Sequence, residues 1–548
     1  MNSMTDQSDF ETVCSQLARE VLAGEIDKES LESRKMELCG EYGLAKMPKN
    51  SEIMNASPDG KRREVAKVIR RKPTRTASGV APVAIMTSPK MCPHGKCLYC
   101  PGGPASDFSS SQAYTGHEPA AARGQQNDYD PYGQVTLRLE QLRNIGHPVD
   151  KVDLILMGGT MTARSHDYQE WFVKRALQAM NEYDITKTPD PSQTESFVQE
   201  NYDWEYIEDV IAENEYNSDV KCIGITFETK PDWCDIEQIN RMLALGATKV
   251  EIGVQTTYER INREMHRGHG TNASITANKT LRDSGFKVGF HMMPGQPGMT
   301  KEMCRQDFRE IFSNESWLPD YLKIYPTLVV EGTRIYDWWH NDEFDPLTTD
   351  EAAELIADAL PEVPRYTRVQ RVQRDIPADF IDGGVQKSNL RELVHEKLAE
   401  NGDTCNCIRC REAGLQENTP ENIELDVLEY TACGGQEFFI SIEDFEQDIL
   451  VGFCRLRFPD EPHRAELQNA AIVRELHVYG NQLEISESAS DSTFQHEGFG
   501  TKLLQKAEEI AQRNGYPKIS VISGIGARGY YKQKHGYHQD GPYVSKQL

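Results

Sequence analysis

The sequence predicts an α/β protein in which a partial, parallel (β/α)6 barrel is followed by a cysteine-bearing linker and then by a separate α+β domain. Three observations predict it. From about residue 80 to 330, short apolar runs alternate with helical periodicity, the pattern of a parallel sheet covered by helices. Beyond about residue 425 the texture changes, and long apolar strands follow one another before a single helix. The cysteines gather in two tight groups, one near the start of the barrel and one in the linker.

Residues 1–60 read as acidic and largely helical and carry no chemical signal. The run KRREVAKVIRRKPTR at 61–75 reverses the charge, setting Lys61, Arg62, Arg63, Lys67, Arg70, Arg71, Lys72 and Arg75 against Glu64. Such a run is either a solvated helix face or a contact for a phosphate backbone, where each neutralised phosphate releases counterions. Barrel strands are expected at 82–87, 152–157, 222–227, 249–254, 287–292 and 321–326. Helical periodicity separates them, as in the stretch from Asp235 that stops at Gly246. Six such units make a partial barrel rather than a full eight. The polar, Pro-containing stretch 186–206 reads as an insertion. In the C-terminal part, EFFISI, ILVGFCRLRF and IVRELHVYG are strands, a helix starts near Gly498, and ISVISG and a short helix follow.

With 60 Lys+Arg against 86 Asp+Glu, the 548 residues carry a net charge of −26. That acidity favours solubility and repels nucleic acid at long range. A saline cytosol weakens the repulsion, because the Debye length falls to roughly 3 Å at molar salt, so a halophilic source fits the composition. The opening MNSMTDQSDFETV has no apolar core of a secretion signal. No apolar run approaches the roughly 20 residues of a membrane span. A cytoplasmic protein with no membrane partner is expected.

Of 13 cysteines, Cys92, Cys97 and Cys100 form C-x4-C-x2-C directly after a strand. Three close thiolates suit a 4Fe–4S cluster with one iron left open for a ligand. Zinc is the alternative, with His94 as a fourth ligand. Gly158 and Gly159 follow the second strand, where backbone can approach a ligand closely or simply turn. Cys405, Cys407 and Cys410 form C-x-C-x2-C, which favours zinc or iron–sulfur over a disulfide. His395 is the candidate fourth zinc ligand, or else a surface histidine. The second site reads as structural, contributing folding energy rather than chemistry.

QHEGFG (495–500) opens the C-terminal helix, where glycine backbone and the helix dipole hold a pyrophosphate. It follows IVRELHVYG and precedes a strand and a helix bearing Tyr530 and Tyr531. That order resembles the GCN5-related acetyltransferase fold, which binds acetyl-CoA. A tyrosine near the thioester serves as a general acid. No obvious carboxylate base for amine acetylation is evident.

The text CPHGKCLYCPGGPASDFSSSQAYTGHEP departs from the usual radical-SAM (S-adenosylmethionine) spacing by its four-residue first gap, yet it resembles the archaeal type of the Elongator catalytic subunit (Elongator protein 3) family, which tolerates varied spacing there. DPY (130–132), DKVDLILMGGT, CIGITFETKPDWC, EIGVQT, NREMHRGH, GFKVGFHMMPG and RVQRDIP continue the resemblance, which covers roughly 70–548. It implies an N-terminal helical and basic tRNA-contact extension (1–78), a radical-SAM domain (79–360), a zinc-binding linker (361–424) and a GCN5-related acetyltransferase domain (425–548). It implies a 4Fe–4S cluster on Cys92, Cys97 and Cys100 and SAM on the open iron. By the same match, acetyl-CoA contacts fall on Lys151, Glu475, Leu476, His477, Val478, Phe499, Gly500, Thr501 and Tyr531, with Lys151 and Tyr531 in catalytic roles. The implied reaction forms 5-carboxymethyluridine at the wobble uridine, position 34, of tRNA. The implied partners are the tRNA anticodon stem-loop and an electron donor, with a homodimer left open.

The segment RYTRVQRVQRD places Arg365, Arg368, Arg371 and Arg374 at intervals of three with Tyr366 among them. These arginines either meet phosphate and bases or pair with acids at the barrel rim. Two other functions are weighed against tRNA modification. One is a protein lysine acetyltransferase with a structural iron–sulfur half. The other is a nucleic-acid-binding or assembly module with degenerate sites, against which the intact cysteines and Q-x-x-G-x-G argue.

Overall fold

A computed structural model describes residues 2–72, 76, 78–187, 206–416, 418–479 and 498–548. Most of the expected insertion, Arg75 and Gln495 lie outside them.

The helices Asn2–Ala23, Leu31–Glu41, Asn50–Asn55 and Arg62–Ile69 pack on one another around Val13, Leu17, Leu38, Ile53, Val65 and Ile69. The basic run is divided by this packing. Arg62 turns inward, donating to Asn55 Oδ1 (3.0 Å) and to the Arg143 carbonyl (2.8 Å). Lys61, Lys67, Arg71 and Lys72 stay exposed.

The first sheet is wholly parallel, in the order β1 (Ala81–Met86), β2 (Lys151–Met157), β3 (Lys221–Thr229), β4 (Lys249–Gln255), β5 (Lys287–Met292), β6 (Tyr321–Ile324), β7 (Arg368–Arg371). No pairing joins β7 back to β1 among the described residues, so the barrel is partial. The crossover helices bury their apolar stripes on it, as the alternation requires. In the helix Ile236–Ala244, the Asp235 carboxylate caps Gln238 N at 2.9 Å, and Gly246 takes φ +81° after its end. The sheet gains a seventh strand, β7, from the segment read as linker.

The second sheet runs in the order β13 (His538–Asp540), β14 (Tyr543–Gln547), β12 (Lys518–Val521), β11 (Ala470–Val478), β10 (Ile449–Phe458), β9 (Gly435–Asp444), β8 (Ile423–Ala432). Its pairs are antiparallel except β11 with β12. The helix Phe499–Arg513 lies on this sheet through Leu503, Leu504, Ala507 and Ala511. The cysteine group 405–410 sits between the two sheets, against β7, where Ile408 N donates to Thr367 O at 3.0 Å. No helix among the described residues is long and apolar enough to cross a membrane.

The second sheet docks on the N-terminal ends of the barrel strands. Arg474 on β11 donates to Phe286 O (2.9 Å) just before β5 and pairs with Asp320 just before β6. Gly524 meets the Ile223 backbone on β3 so closely that a Cβ there would lie 2.0 Å from its carbonyl oxygen. Tyr543 Oη donates to Ser284 O at 2.9 Å. Of the two readings open for 365–374, acid pairing prevails: Arg365 with Glu443 and Asp448, Arg368 with Glu412, Arg371 with Asp375. Tyr366 is buried and stacks on Tyr430 at 3.9 Å, so it serves the domain contact rather than a base.

Candidate active site

The loop after β1 carries Cys92, Cys97 and Cys100 at the C-terminal end of the barrel. Each sulfur has a polar neighbour. Thr160 Oγ1 lies 3.3 Å from Cys92 Sγ, and His94 Nε2 3.2 Å from Cys97 Sγ. Arg267 Nη1 is also within reach of Cys97 Sγ at 3.5 Å, and Ala113 N donates to Cys100 Sγ at 3.1 Å. Burial pushes the Cys100 thiol up to about 11 and raises that of Cys92, so cationic metal is needed to hold these groups as thiolates. The three sulfurs do not all lie within 4.8 Å of one another, whereas those of Cys405, Cys407 and Cys410 do. A single tetrahedral ion with bonds of about 2.3 Å needs sulfurs roughly 3.8 Å apart. The wider set fits separate iron atoms of one cluster, and the tight set fits one ion.

Gly158 and Gly159 take φ +126° and +77° beside this loop. A Cβ at Gly158 would stand 2.1 Å from Thr87 Oγ1, and one at Gly159 3.6 Å from Cys92 Sγ. Gly158 packs the turn onto Thr87, and Gly159 keeps the backbone close to Cys92, where a ligand on an open iron would lie.

At the other end of the barrel, β11 carries Glu475, Leu476, His477 and Val478. Its pairing with β12 stops at Val473, while its pairing with β10 runs on to Val478. Among the described residues the two pairings therefore part at Val473, and the β11 backbone at 475–477 is where the amides of a pantetheine arm can pair. Strand alternation sends Leu476 and Val478 to the core that holds Phe499 and Tyr531, and Glu475 and His477 to the opposite face. His477 Nε2 is buried without a hydrogen-bond partner, and burial lowers its basicity. Glu475 is engaged by Tyr321 Oη and by Arg455 Nε at 2.9 Å. Burial alone would raise its pKa, but the Arg455 guanidinium keeps it below the usual value. It is thus an ionised, occupied group and a poor general base.

Gly500 and Thr501 lie in the first turn of Phe499–Arg513, whose N–H groups point out of the helix end and suit a pyrophosphate. A Cβ at Gly500 would be 2.9 Å from Tyr530 Oη. Tyr531 sits on the helix Arg528–His535, and burial raises its pKa, so it keeps its phenolic proton. Lys532 and Arg528 of that helix pair with Glu215 of the barrel half at 2.6 and 3.6 Å. Lys151 begins β2 in register with Lys221 of β3, on the barrel end that receives the second sheet. These residues fit acetyl-CoA by a strand edge beyond its β12 pairing, a glycine helix start and an unpartnered imidazole nitrogen.

His395 lies exposed on the helix Leu390–Asn401 and does not join the cysteine set 405–410 within 4.8 Å. Within that set, hydrogen bonds from Cys405 and Cys410 hold the Cys407 thiol well below its usual range.

The barrel lumen holds a polar group that no local sequence pattern marks. Glu228, Glu251 and His291 converge within 4.8 Å, but Lys323 ion-pairs with both carboxylates, so the group is already neutralised and makes a poor metal site. A polar path crosses the barrel here. Tyr321, which bonds Glu475, lies under Lys249 Nζ at 4.7 Å, and Lys249 pairs with Glu251 at 3.1 Å. Lys323 then bridges to Glu228 (2.7 Å), and Tyr114 Oη donates to Glu228 at 3.0 Å. Tyr114 adjoins the amide that bonds Cys100. Side chains from four strands thus link the two cradles, a relation that separation in sequence hides.

The chain matches the ELP3 N-terminal domain over residues 10–77, the radical SAM superfamily over 86–311, the radical SAM C-terminal domain over 319–400 and the GNAT acetyltransferase family over 409–537. It is 44% identical over 533 residues to the tRNA uridine(34) acetyltransferase of Methanocaldococcus jannaschii, covering 95% of each chain. It is 42% identical over 553 residues to Elongator complex protein 3 of Schizosaccharomyces pombe, covering 98% of each. The solved structure of Methanocaldococcus infernus Elp3 with its N-terminus (1–46) deleted aligns at a TM-score of 0.72 and 41% identity, over 86% of this chain and 100% of that one.

Proposed function

The chain belongs to the Elongator protein 3 family, and from that premise we propose that it is a tRNA uridine(34) acetyltransferase working through its radical SAM and acetyltransferase domains. The product we assign is 5-carboxymethyluridine, in which the acetyl-derived carbon replaces the hydrogen on C5 of the wobble base, that hydrogen leaving as a proton, and water cleaves the thioester to release CoA. The observation that carries the reading is the pair of cradles on one barrel, cysteines at one end and the β11 edge at the other, linked through the lumen.

Cys92, Cys97 and Cys100 would hold the 4Fe–4S cluster, and the turn of Gly158 and Gly159 keeps backbone near its open iron. A cluster and SAM held there would supply one-electron radical chemistry capable of activating the acetyl methyl by removal of hydrogen. The chain's own residues bind and orient. Glu475, Leu476, His477 and Val478 line the pantetheine strand, and Phe499, Gly500 and Thr501 receive the pyrophosphate. Lys151 faces the acyl end, and Tyr531 holds a proton for the departing thiolate. Cys405, Cys407 and Cys410 are assigned zinc, whose binding contributes folding energy at the domain junction. The domain limits 1–78, 79–360, 361–424 and 425–548 are proposed on the same basis, with β7 of the linker completing the barrel sheet. The exposed Lys61, Lys67, Arg71 and Lys72 are assigned to the anticodon stem-loop. The setting is the cytoplasm, with an external electron donor.

A protein lysine acetyltransferase would want a free base beside the thioester, and Glu475 is occupied by Tyr321 and Arg455. The test is anaerobic reconstitution with iron and sulfide, then incubation with tRNA, SAM, reductant and acetyl-CoA, followed by mass spectrometry of digested tRNA. Carboxymethyluridine is expected. Its absence alongside acetylation of a protein substrate overturns the reading.

A further inference from the structure

We infer that Tyr114 and Arg374 are positioning residues of the cysteine site, which hold the Ala113 amide on Cys100 Sγ and thereby raise the reduction potential of the cluster bound there. The inference rests on the reading of Cys92, Cys97 and Cys100 as cluster ligands. Three consecutive residues close the cysteine loop. Gln112 Oε1 accepts from Cys92 N at 2.8 Å, and its Nε2 donates to Gly95 O at 3.1 Å. Ala113 N donates to Cys100 Sγ at 3.1 Å. Tyr114 Oη donates to Glu228 at 3.0 Å.

Ala113 makes its bond from φ +72°, a region that residues with a Cβ rarely occupy. Such a conformation persists where the surroundings over-determine it. Here the restraint comes from both sides: Arg374 Nη2 donates to Ala113 O, and Tyr114 is anchored to the lumen carboxylate. Glu228 is itself fixed by Lys323 at 2.7 Å. The loop has no slack behind it, since a Cβ at Gly102 would be 2.2 Å from Tyr114 O. An N–H aimed at a thiolate sulfur stabilises the more negative, reduced cluster and moves its potential upward. Arg374 therefore acts on the cluster through a backbone carbonyl, from a segment 261 residues away in sequence.

The test uses the full-length protein reconstituted anaerobically, with Y114F, R374M and R374K beside the wild type. Iron and sulfide content, the EPR spectrum of the reduced cluster and its midpoint potential are measured. The expected result is full cluster loading in every variant, a changed EPR spectrum, and a lower potential in Y114F and R374M, with R374K between. A tenfold change in the one-electron equilibrium corresponds to about 59 mV. Unchanged potentials and spectra in loaded Y114F and R374M overturn the inference, as does failure of both variants to load iron, which would make these residues supports of the loop fold. A wild type that loads no 4Fe–4S cluster instead overturns the ligand reading beneath it.

Discussion

Asp320 and Arg474 form a two-point ion pair between the halves of the protein, Nη1 to Oδ2 at 2.6 Å and Nη2 to Oδ1 at 2.9 Å, with both side chains 0% exposed. They sit in a wider buried set. Arg282 and Arg474 both reach Glu437, at 3.0 and 2.8 Å, and Arg457 pairs with Asp283 at 2.6 Å. Burial alone would raise the Asp320 pKa, but Arg282 and Arg474 hold it well below the carboxylate range. Removing one partner leaves the others buried and uncompensated. D320N is expected to destabilise by about 3–5 kcal/mol, read as a lower midpoint in urea unfolding, and an unshifted midpoint would show the pair to be dispensable.

A Cβ at Gly500 would stand 2.9 Å from Tyr530 Oη, so a side chain at this helix start requires the Tyr530 ring to shift. G500A should weaken acetyl-CoA binding measured by calorimetry. Y530F removes the clashing oxygen, so G500A/Y530F should recover part of the loss. No recovery would place the fault in the backbone itself.

Lys287, on β5 and acted on by Glu475, Lys249 and Asp153, is pushed down to about 8 by burial. An unfolded lysine titrates near 10.4. Between about pH 8 and 10 the unfolded chain therefore binds more protons than the folded one, and this group makes stability rise with pH across that window. K287M should flatten that rise in unfolding free energy measured from pH 7.5 to 10.5. A wild-type slope in the variant would deny Lys287 this role.

Cys405, Cys407 and Cys410 lie close enough for one ion. C407S should lose one equivalent of zinc by elemental analysis while retaining iron at the first cysteine group, and should unfold at a lower temperature. H395A should retain the zinc, since His395 stands outside the set.

Neutralising Arg71 and Lys72, both exposed after the helix Arg62–Ile69, should weaken tRNA binding and reduce the slope of log affinity against log salt by roughly 1–2. An identical slope would assign the phosphate contacts elsewhere.

Much of the fold was legible because its signals are local. Strands such as KVGFHM match β5 residue for residue, and the Asp235 cap and Gly246 stop are short-range chemistry. β7 was missed because RVQR is short and polar, and it is a strand only through its pairing with β6. β8 was missed because it is an edge strand with most of its side chains exposed.

The sequence by itself determined the two cysteine groups, the alternation that builds the barrel, and the glycine-led helix, since each is written in contiguous residues with fixed spacing. Only the tertiary structure decided what those parts do to one another. It turned Arg365, Arg368 and Arg371 from candidate phosphate contacts into acid-paired groups, joined Asp320 to Arg474, and brought Arg374 onto the loop of Cys100. The physical reason is that buried charge must be compensated. The partner that compensates it is supplied by whichever distant strand packs against it, which no local pattern records.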